Sequence, residues 1–178
     1  MDDFKPLRMG HPLLREKAPL IKDISAVKNL ALEMKHLITL EPWSGVAAPQ
    51  LGHALRMVAF QMSEALAERK NEAPRPPRIL INPVLTPLTD ETKEDWEACL
   101  SLPDLMGLVV RPTKIRVQGF DETGAEIDDI TEGHYARIIQ HECDHLDGIL
   151  YVDRMTDMTK LIYRSEYPLW LETFQKAS

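Results

Sequence analysis

A helical stretch from His134 to Asp147 is apolar on several sides, and this property governs how the rest of the chain can fold. Its apolar residues are Tyr135, Ala136, Ile138, Ile139, Cys143 and Leu146. A helix with apolar residues on several sides is buried, whereas a surface helix carries one apolar stripe. The following Gly148 suits the left-handed conformation that ends many helices. We therefore predict a buried, central helix over residues 134–147.

Helical and strand-like patterns are mixed along the remainder of the chain. Apolar residues recur at three- and four-residue steps from Ala26 to Leu40, which indicates an amphipathic helix. Short β-like runs occur at Leu55–Phe60, Arg78–Asn82 and Lys114–Phe120, and a turn-like Asp121–Gly124 segment follows the last of them. Because helices and strands do not strictly alternate, we predict an α+β fold with mixed or antiparallel β-sheets packed around the central helix.

Chain length and charge restrict the class of protein. A chain of 178 residues is long enough for one core and short for two ordinary domains, so we predict a single domain over residues 1–178. The formal charge of −7 comes without a basic tract, which argues against nucleic-acid binding. No apolar run approaches the roughly 20 residues that cross a bilayer. The acidic start, Met1–Pro6, is unlike a basic leader peptide, and we expect a cytoplasmic protein.

The helical stretch contains an H-E-x-x-H sequence, His141 to His145. Residues four apart on a helix share one face, so both imidazoles can reach one metal ion while Glu142 stays beside it to handle a proton. The alternative is an ordinary helix with two solvated histidines. The apolar flanks favour a metal site, because burying unpaired His and Glu side chains is costly.

Two histidines make an incomplete metal site, and Cys99 is the candidate for the third ligand. The other cysteine, Cys143, lies about 200° around the helix from His141 and so faces away from the metal. Cys99, His141 and His145 together give three protein ligands and leave one coordination position open. Such a set indicates a catalytic rather than a structural site. A thiolate and two imidazoles suit Zn²⁺ or Fe²⁺ better than Mg²⁺ or Ca²⁺.

Three segments of the chain together resemble the peptide deformylase family. They are the loop Trp43–Gln50, the segment Glu97–Pro103 and the helical segment Gln140–Gly148, and they occur in the family's order. Weaker similarity extends to His11–Arg15, Ile81–Pro83 and Tyr151–Met155. The sequence departs from the family's pattern where Trp43 and Ala98 each replace a glycine. Both departures lie near the expected substrate cleft. The resemblance therefore implies the reaction, whereas these two residues can alter the substrate preference.

The resemblance implies hydrolysis of the N-formyl group from the formylmethionine of nascent polypeptides, with release of formate. Cys99, His141 and His145 are then the metal ligands, and Glu142 takes a proton from water and passes it to the departing amine. The implied ion is divalent, with Fe²⁺ native and Zn²⁺, Ni²⁺ or Co²⁺ possible in purified protein. A monomer with transient ribosome contact, and without membrane or direct nucleic-acid binding, is expected.

Further roles follow from the resemblance. The Gln50 side-chain amide and the Leu100 backbone N–H are the implied donors to the negative oxygen of the tetrahedral intermediate. Without the resemblance, Gln50 is more simply a surface loop amide. Gly45 is expected to let an extended substrate pair closely with the loop, although a glycine here can also serve only as a turn. Val46 and Ile138 are expected, with Leu100, to help form an apolar pocket for the methionine side chain, although any core uses such residues.

Acidic residues in the two ligand segments are candidates for supporting the metal ligands. These are Glu97 and Asp144, and Arg111 is a candidate partner for either. Solvated surface charges are the alternative for all three.

Two other functions fit parts of the sequence. An H-E-x-x-H metallopeptidase fits the helix but does not need Cys99 or Gln50. A deformylase-like protein that keeps the metal but has altered or lost substrate specificity fits the departures at Trp43 and Ala98.

Overall fold

The computed structural model describes residues 5–40 and 43–174, and these residues adopt an α+β fold. The helices are α1 Lys28–Leu40, α2 Glu64–Lys70, α3 Gly133–His145, α4 Tyr151–Arg154 and α5 Tyr167–Phe174. The strands are β1 Gly45–Ala47, β2 Met57–Met62, β3 Arg75–Pro87, β4 Thr92–Cys99, β5 Leu102–Pro112, β6 Lys114–Phe120, β7 Glu126–Glu132 and β8 Ile162–Tyr163. None of the helices in the described ranges is long and apolar enough to cross a membrane.

The strands form two antiparallel sheets, which confirms the predicted α+β class with antiparallel sheets. The large sheet has the order β1-β2-β3-β6-β7, and the small sheet has the order β4-β5-β8. All three strands predicted from sequence lie in the large sheet. Its β6 has the predicted bounds, and the Asp121–Gly124 segment forms the turn between β6 and β7. The β4–β5 hairpin was not predicted, and it forms most of the small sheet.

Strand β2 shows how the large sheet separates two cores. Successive side chains on a strand point to opposite faces. Val58 and Phe60 belong to the hydrophobic cluster that includes apolar residues of α3. Met57 and Ala59 belong to the cluster that includes apolar residues of α1. The large sheet is therefore covered by α3 on one face and by α1 on the other, which explains why β2 is apolar without alternation.

Helix α3 is buried along most of its length, as predicted, but it ends two residues before the predicted Asp147. Every residue from Tyr135 to His145 is less than a tenth exposed, including the charged ones. Gly148 has the left-handed φ of +72° that its position suggested. On the side away from the large sheet, Arg137 of α3 donates a hydrogen bond to the Val109 carbonyl of β5. Helix α3 thus lies between the two sheets.

Helix α1 begins at Lys28, after a short 3₁₀ turn that covers the start of the predicted stretch. It ends at Leu40, and the predicted stop at Glu41 and Pro42 lies outside the described residues. Likewise, most of the acidic Met1–Pro6 segment lies outside them. After α4, the chain returns to the small sheet, where β8 pairs with the middle of β5, and then enters α5.

Candidate metal centre and active site

Cys99, His141 and His145 lie together in a buried cluster. One ligand atom from each lies within 4.8 Å of the other two, and Cys99 Sγ is 3.3 Å from His145 Nε2. Cys99 is the last residue of β4, and the two histidines stand one turn apart on α3. The β4–β5 hairpin therefore carries the thiol to the helix face that presents both imidazoles.

The donor set and its spacing fit one divalent ion. Zinc–sulfur and zinc–nitrogen distances of about 2.0–2.3 Å place the ligand atoms of a tetrahedral site about 3.5 Å apart. Burial, with the positive charges of His141 and Arg111, lowers the pKa of His145 well below its ordinary value. Neutral imidazole is the form that binds a metal. The cluster can hold one metal ion, and three protein ligands leave a position open.

The surroundings of His141 favour positive charge in the cluster. Its Nδ1 is 2.8 Å from Glu97 Oε2. Burial opposes protonation, but hydrogen bonds to Cys99 and Glu97 outweigh it and raise the pKa of His141 well above the ordinary value. A bound metal ion would supply this positive charge in place of the proton, because metals and protons compete for these atoms.

A buried ionic network orients this histidine. Glu97 accepts two hydrogen bonds from Arg111, at 2.6 and 2.9 Å, while Arg111 also donates to Asp144 at 2.8 Å. Asp144 accepts a further bond from Arg154 at 2.6 Å. Although burial opposes ionisation, the bonds from Arg111 and His141 hold the pKa of Glu97 well below its usual range. Arg111 thus joins both acidic residues, and the alternative of solvated surface charges is wrong for all three.

Sequence reasoning missed Arg137, which completes the network. It is 5% exposed and donates to Glu97 Oε1 at 2.8 Å. An arginine four residues before His141, on a helix predicted to be buried, was the available signal, since residues at this spacing share a face. Arg137 therefore fixes the glutamate that in turn holds the histidine.

Gln50 lies inside the protein and beside the thiol. Its Oε1 accepts a hydrogen bond from the Ala47 N–H at 2.8 Å, and the residue is 1% exposed. Its Nε2 donates to Ser101 Oγ at 3.2 Å and lies 3.4 Å from Cys99 Sγ. Gln50 is therefore not a surface amide. Sequence reasoning missed Ser101, although it lies two residues after the cysteine, with Leu100 between them.

Glu142 is buried without a hydrogen-bond partner for Oε2 among the described residues. Burial raises the pKa of this carboxyl to about 7, an effect that the charge of His141 opposes and that of Glu97 reinforces. Gly45 lies directly against it: a Cβ at this position would be 2.6 Å from Glu142 Cγ and Oε1. The glycine leaves the space that the carboxyl occupies, a reason for it that was not foreseen from the sequence.

A cavity of about 180 Å³ opens beside this carboxyl, and its walls include Ser44, Trp96, Ala98 and Ile138. A wider depression of about 650 Å³ at the start of α3 contains none of the three metal-cluster residues. Ile138 lies in the wall of this cavity, and its contact with substrate stays a prediction.

Two residues expected near the cleft belong to the core instead. Val46 is fully buried, and Trp43 is partly buried, in the cluster beneath α1. Neither lines the 180 Å³ cavity. The contact of Val46 with substrate stays a prediction.

An α+β fold in which a buried Cys/His/His cluster that can hold one metal ion lies beside a buried carboxyl is typical of one class of proteins, the mononuclear metallohydrolases. The family model for polypeptide deformylase matches residues 5–161. The chain belongs to this family. Peptide deformylase 1 of Nitrosomonas europaea is 44% identical over 164 residues, which cover 90% of this chain and 92% of the relative.

Solved structures agree with this assignment. The peptide deformylase of Thermotoga maritima has a TM-score of 0.77 at 27% identity, with 88% of this chain and 100% of that chain covered. A class I type b peptide deformylase from Acinetobacter baumannii, solved with Met-Ala-Ser bound, has a TM-score of 0.76 at 26% identity over 84% of this chain and 96% of that chain.

Proposed function

We propose that this chain hydrolyses the N-formyl group from the formylmethionine of nascent polypeptides and releases formate. The observation that carries the proposal is the Cys99, His141 and His145 cluster beside a buried glutamate, in a member of the polypeptide deformylase family. A metallopeptidase is not favoured, because its chemistry does not call for a thiol in the cluster.

Cys99, His141 and His145 would hold one divalent ion, with Fe²⁺ as the native metal. An ion bound there supplies positive charge that activates a water molecule and polarises the formyl carbonyl. The hydrogen bond from His141 to Glu97 fixes the ring so that its other nitrogen faces the cluster. Sulfur and nitrogen donors support Fe²⁺ or Zn²⁺ over Mg²⁺ or Ca²⁺.

Glu142 moves the proton. Its carboxyl takes a proton from the attacking water and delivers it to the amine as the C–N bond breaks, so that formate and a free N-terminus leave. A pKa near neutrality suits a group that must both accept and donate. The free Oε2 supports this role, because no described side chain competes for it.

Gln50 and Leu100 stabilise the oxyanion that forms during attack. The Gln50 Nε2 amide lies 3.4 Å from Cys99 Sγ, and its orientation is fixed because Oε1 accepts from Ala47. The Leu100 backbone N–H is the proposed second donor, adjacent to Cys99 in sequence. Fixed donors of this kind stabilise developing charge without reorganisation.

The cavity beside Glu142 receives the methionine side chain of the substrate, with Ile138 in its wall and Val46 in the core behind the loop. Gly45 admits the substrate backbone to β1. The Met-Ala-Ser peptide in the Acinetobacter baumannii structure supports a site for a methionine-first chain.

We further propose that α3 is the central helix of one catalytic domain spanning residues 1–178. Burial of α3 supports this, because the helix shares one hydrophobic cluster with the large sheet and donates a hydrogen bond to β5 of the small sheet. A monomer in the cytoplasm, with transient ribosome contact, fits a substrate that emerges from translation. The net charge of −7 supports the absence of direct nucleic-acid binding.

Release of formate tests the proposed function directly. The full chain, loaded anaerobically with Fe²⁺ or separately with Zn²⁺, should release formate from formyl-Met-Ala-Ser, while an acetyl-Met-Ala-Ser control should yield no acetate. Formate is quantified with a coupled dehydrogenase and the free amine by mass spectrometry. Metal-loaded protein that releases no formate with either ion would refute the proposal.

Replacing Gly45 by alanine should lower kcat about 100-fold, because a displacement near 1 Å is enough for such a loss. The added methyl would occupy the space of the Glu142 carboxyl. Formate assays would measure kcat, thermal unfolding would report stability, and metal analysis would report the ion. Metal content should be unchanged, since Gly45 does not belong to the cluster. Wild-type kcat in the variant would contradict the contact.

A further inference from the structure

The described C-terminal segment that follows the family-matched region contacts the strand beside the candidate active site. The family model ends at residue 161, whereas β8 and α5 lie beyond it. The Tyr167 and Trp170 rings of α5 meet Trp96 edge to face, with centroid distances of 5.3 and 4.9 Å. A segment outside the family match thus reaches a residue three positions before Cys99.

Trp96 connects this C-terminal segment with the candidate active site. On β4, it precedes Glu97, whose buried carboxylate holds His141. Trp96 is half-buried and lines the 180 Å³ cavity together with Glu142. Trp96 therefore contacts α5 through its ring and is also one of the residues that line the cavity.

Backbone pairing between strands supports the contact of α5 with Trp96, in addition to the packing of the aromatic rings. Strand β8 pairs with β5 through Leu105 with Tyr163 and Met106 with Ile162. Strand β5 pairs with β4, where Trp96 lies opposite Leu108. Edge-to-face packing is a preferred geometry for aromatic rings, and two such neighbours restrict the rotamers open to the indole. These contacts therefore limit the positions open to the Trp96 side chain beside the cavity.

We propose that Trp96, held by Tyr167 and Trp170, determines which N-terminal side chain the cavity accepts. The inference rests on the proposed function. Trp96, Ala98 and Ile138 are the apolar residues among those that line the cavity, and a methionine sulfur packs favourably against an aromatic ring. A bulky aromatic side chain needs the indole to move, which Tyr167 and Trp170 oppose.

The test uses Tyr167→Ala, Trp170→Ala and the double variant of the full metal-loaded chain. We would measure kcat and KM separately for formyl-Met-Ala-Ser and formyl-Phe-Ala-Ser. The double variant should raise KM for the methionine peptide about threefold, lower KM for the phenylalanine peptide about threefold, and so lower the Met-to-Phe ratio of kcat/KM about tenfold, a typical scale for pocket changes. Its kcat for the methionine peptide should stay within about twofold of wild type, because α5 contributes none of the three residues of the described metal cluster.

Matched controls separate selectivity from damage to the fold. Leu169→Ala changes an exposed residue of the same helix and should leave the ratio unchanged. Tyr167→Phe and Trp170→Phe keep an aromatic ring and should retain most of the selectivity. An unchanged Met-to-Phe ratio in the folded double variant, or an equal loss of kcat for both peptides, would overturn the inference.

The inference and the proposed function can fail separately. If wild type and Leu169→Ala release no formate, the proposed function has failed. The role of Trp96 in selectivity would then be tested by calorimetric measurement of the binding of the same two peptides to wild type and to the double variant. If the ratio of the two dissociation constants were the same in both proteins, the inference about Trp96 would be overturned. If the double variant does not fold, the two single variants decide by the same ratio.

Discussion

Glutamine in place of Glu142 should reduce kcat for formate release about a thousandfold, the scale expected for loss of a general acid–base group. The amide has the shape of the carboxyl but cannot carry the proton from water to the departing amine. KM should change little, since the cavity keeps its walls. Metal content should match wild type, because Glu142 is not among the three ligand residues. Steady-state kinetics with metal analysis of the same sample would check this.

Stability of the metal-free protein provides an independent measurement on the same variant. Burial raises the pKa of Glu142 to about 7, so the folded state favours the protonated carboxyl. The stability that this preference contributes is present at low pH and is lost as the pH rises through about 7. The metal-free variant should therefore unfold at a higher temperature than wild type at about pH 8, with a smaller difference at about pH 5. Near-wild-type kcat in Glu142→Gln would assign the proton transfer to another group.

Local sequence patterns predicted the parts of the fold that local forces determine. Helix α3 has apolar residues on several sides, and only a buried helix accommodates that pattern. Strand β6 was predicted from Lys114 to Phe120 because it is a β-like run bounded by turn-rich or proline-rich breaks, of which Asp121–Gly124 is one. Those breaks lie in the sequence itself, so both ends of the strand were predictable.

The β4–β5 hairpin escaped prediction for a physical reason. Strand residues that face a core are normally apolar, but β4 turns Glu97 toward α3, and β5 turns Arg111 toward it. Thr92 to Glu94 are exposed. A search for apolar alternation therefore finds a polar segment, although its charges neutralise one another inside the protein.

The candidate site likewise combines contacts that local sequence patterns predict with contacts that they do not predict. Convergence of Cys99 with the two histidines followed from residue types and helical spacing. The contact of Gly45 with Glu142 joins residues 97 positions apart, and no local periodicity encodes it. The aromatic contact from α5 to Trp96 is likewise a product of strand pairing between distant segments.

Cys99→Ala should lower the affinity for the ion more than about 100-fold, because loss of even an outer partner of a ligand costs 10- to 100-fold. Formate release should fall with the metal content and should not recover when Zn²⁺ or Fe²⁺ is added at wild-type levels. The same variant distinguishes the rival metallopeptidase. An enzyme whose third ligand is a carboxylate or histidine would keep its ion and its activity without Cys99.

The chain offers a matched control for this loss in its second cysteine. Cys143 is 7% exposed and Cys99 is 8% exposed, so alanine removes a thiol of similar burial at either position. Cys143 packs in the cluster between α3 and the large sheet, away from the metal ligands. Cys143→Ala should therefore bind one ion per chain and keep kcat near wild type, with a modest loss of thermal stability from the small cavity. If metal analysis found one tightly bound ion in Cys99→Ala, the thiol would be excluded as a ligand; if both variants lost the ion equally, the loss would reflect general damage to the core.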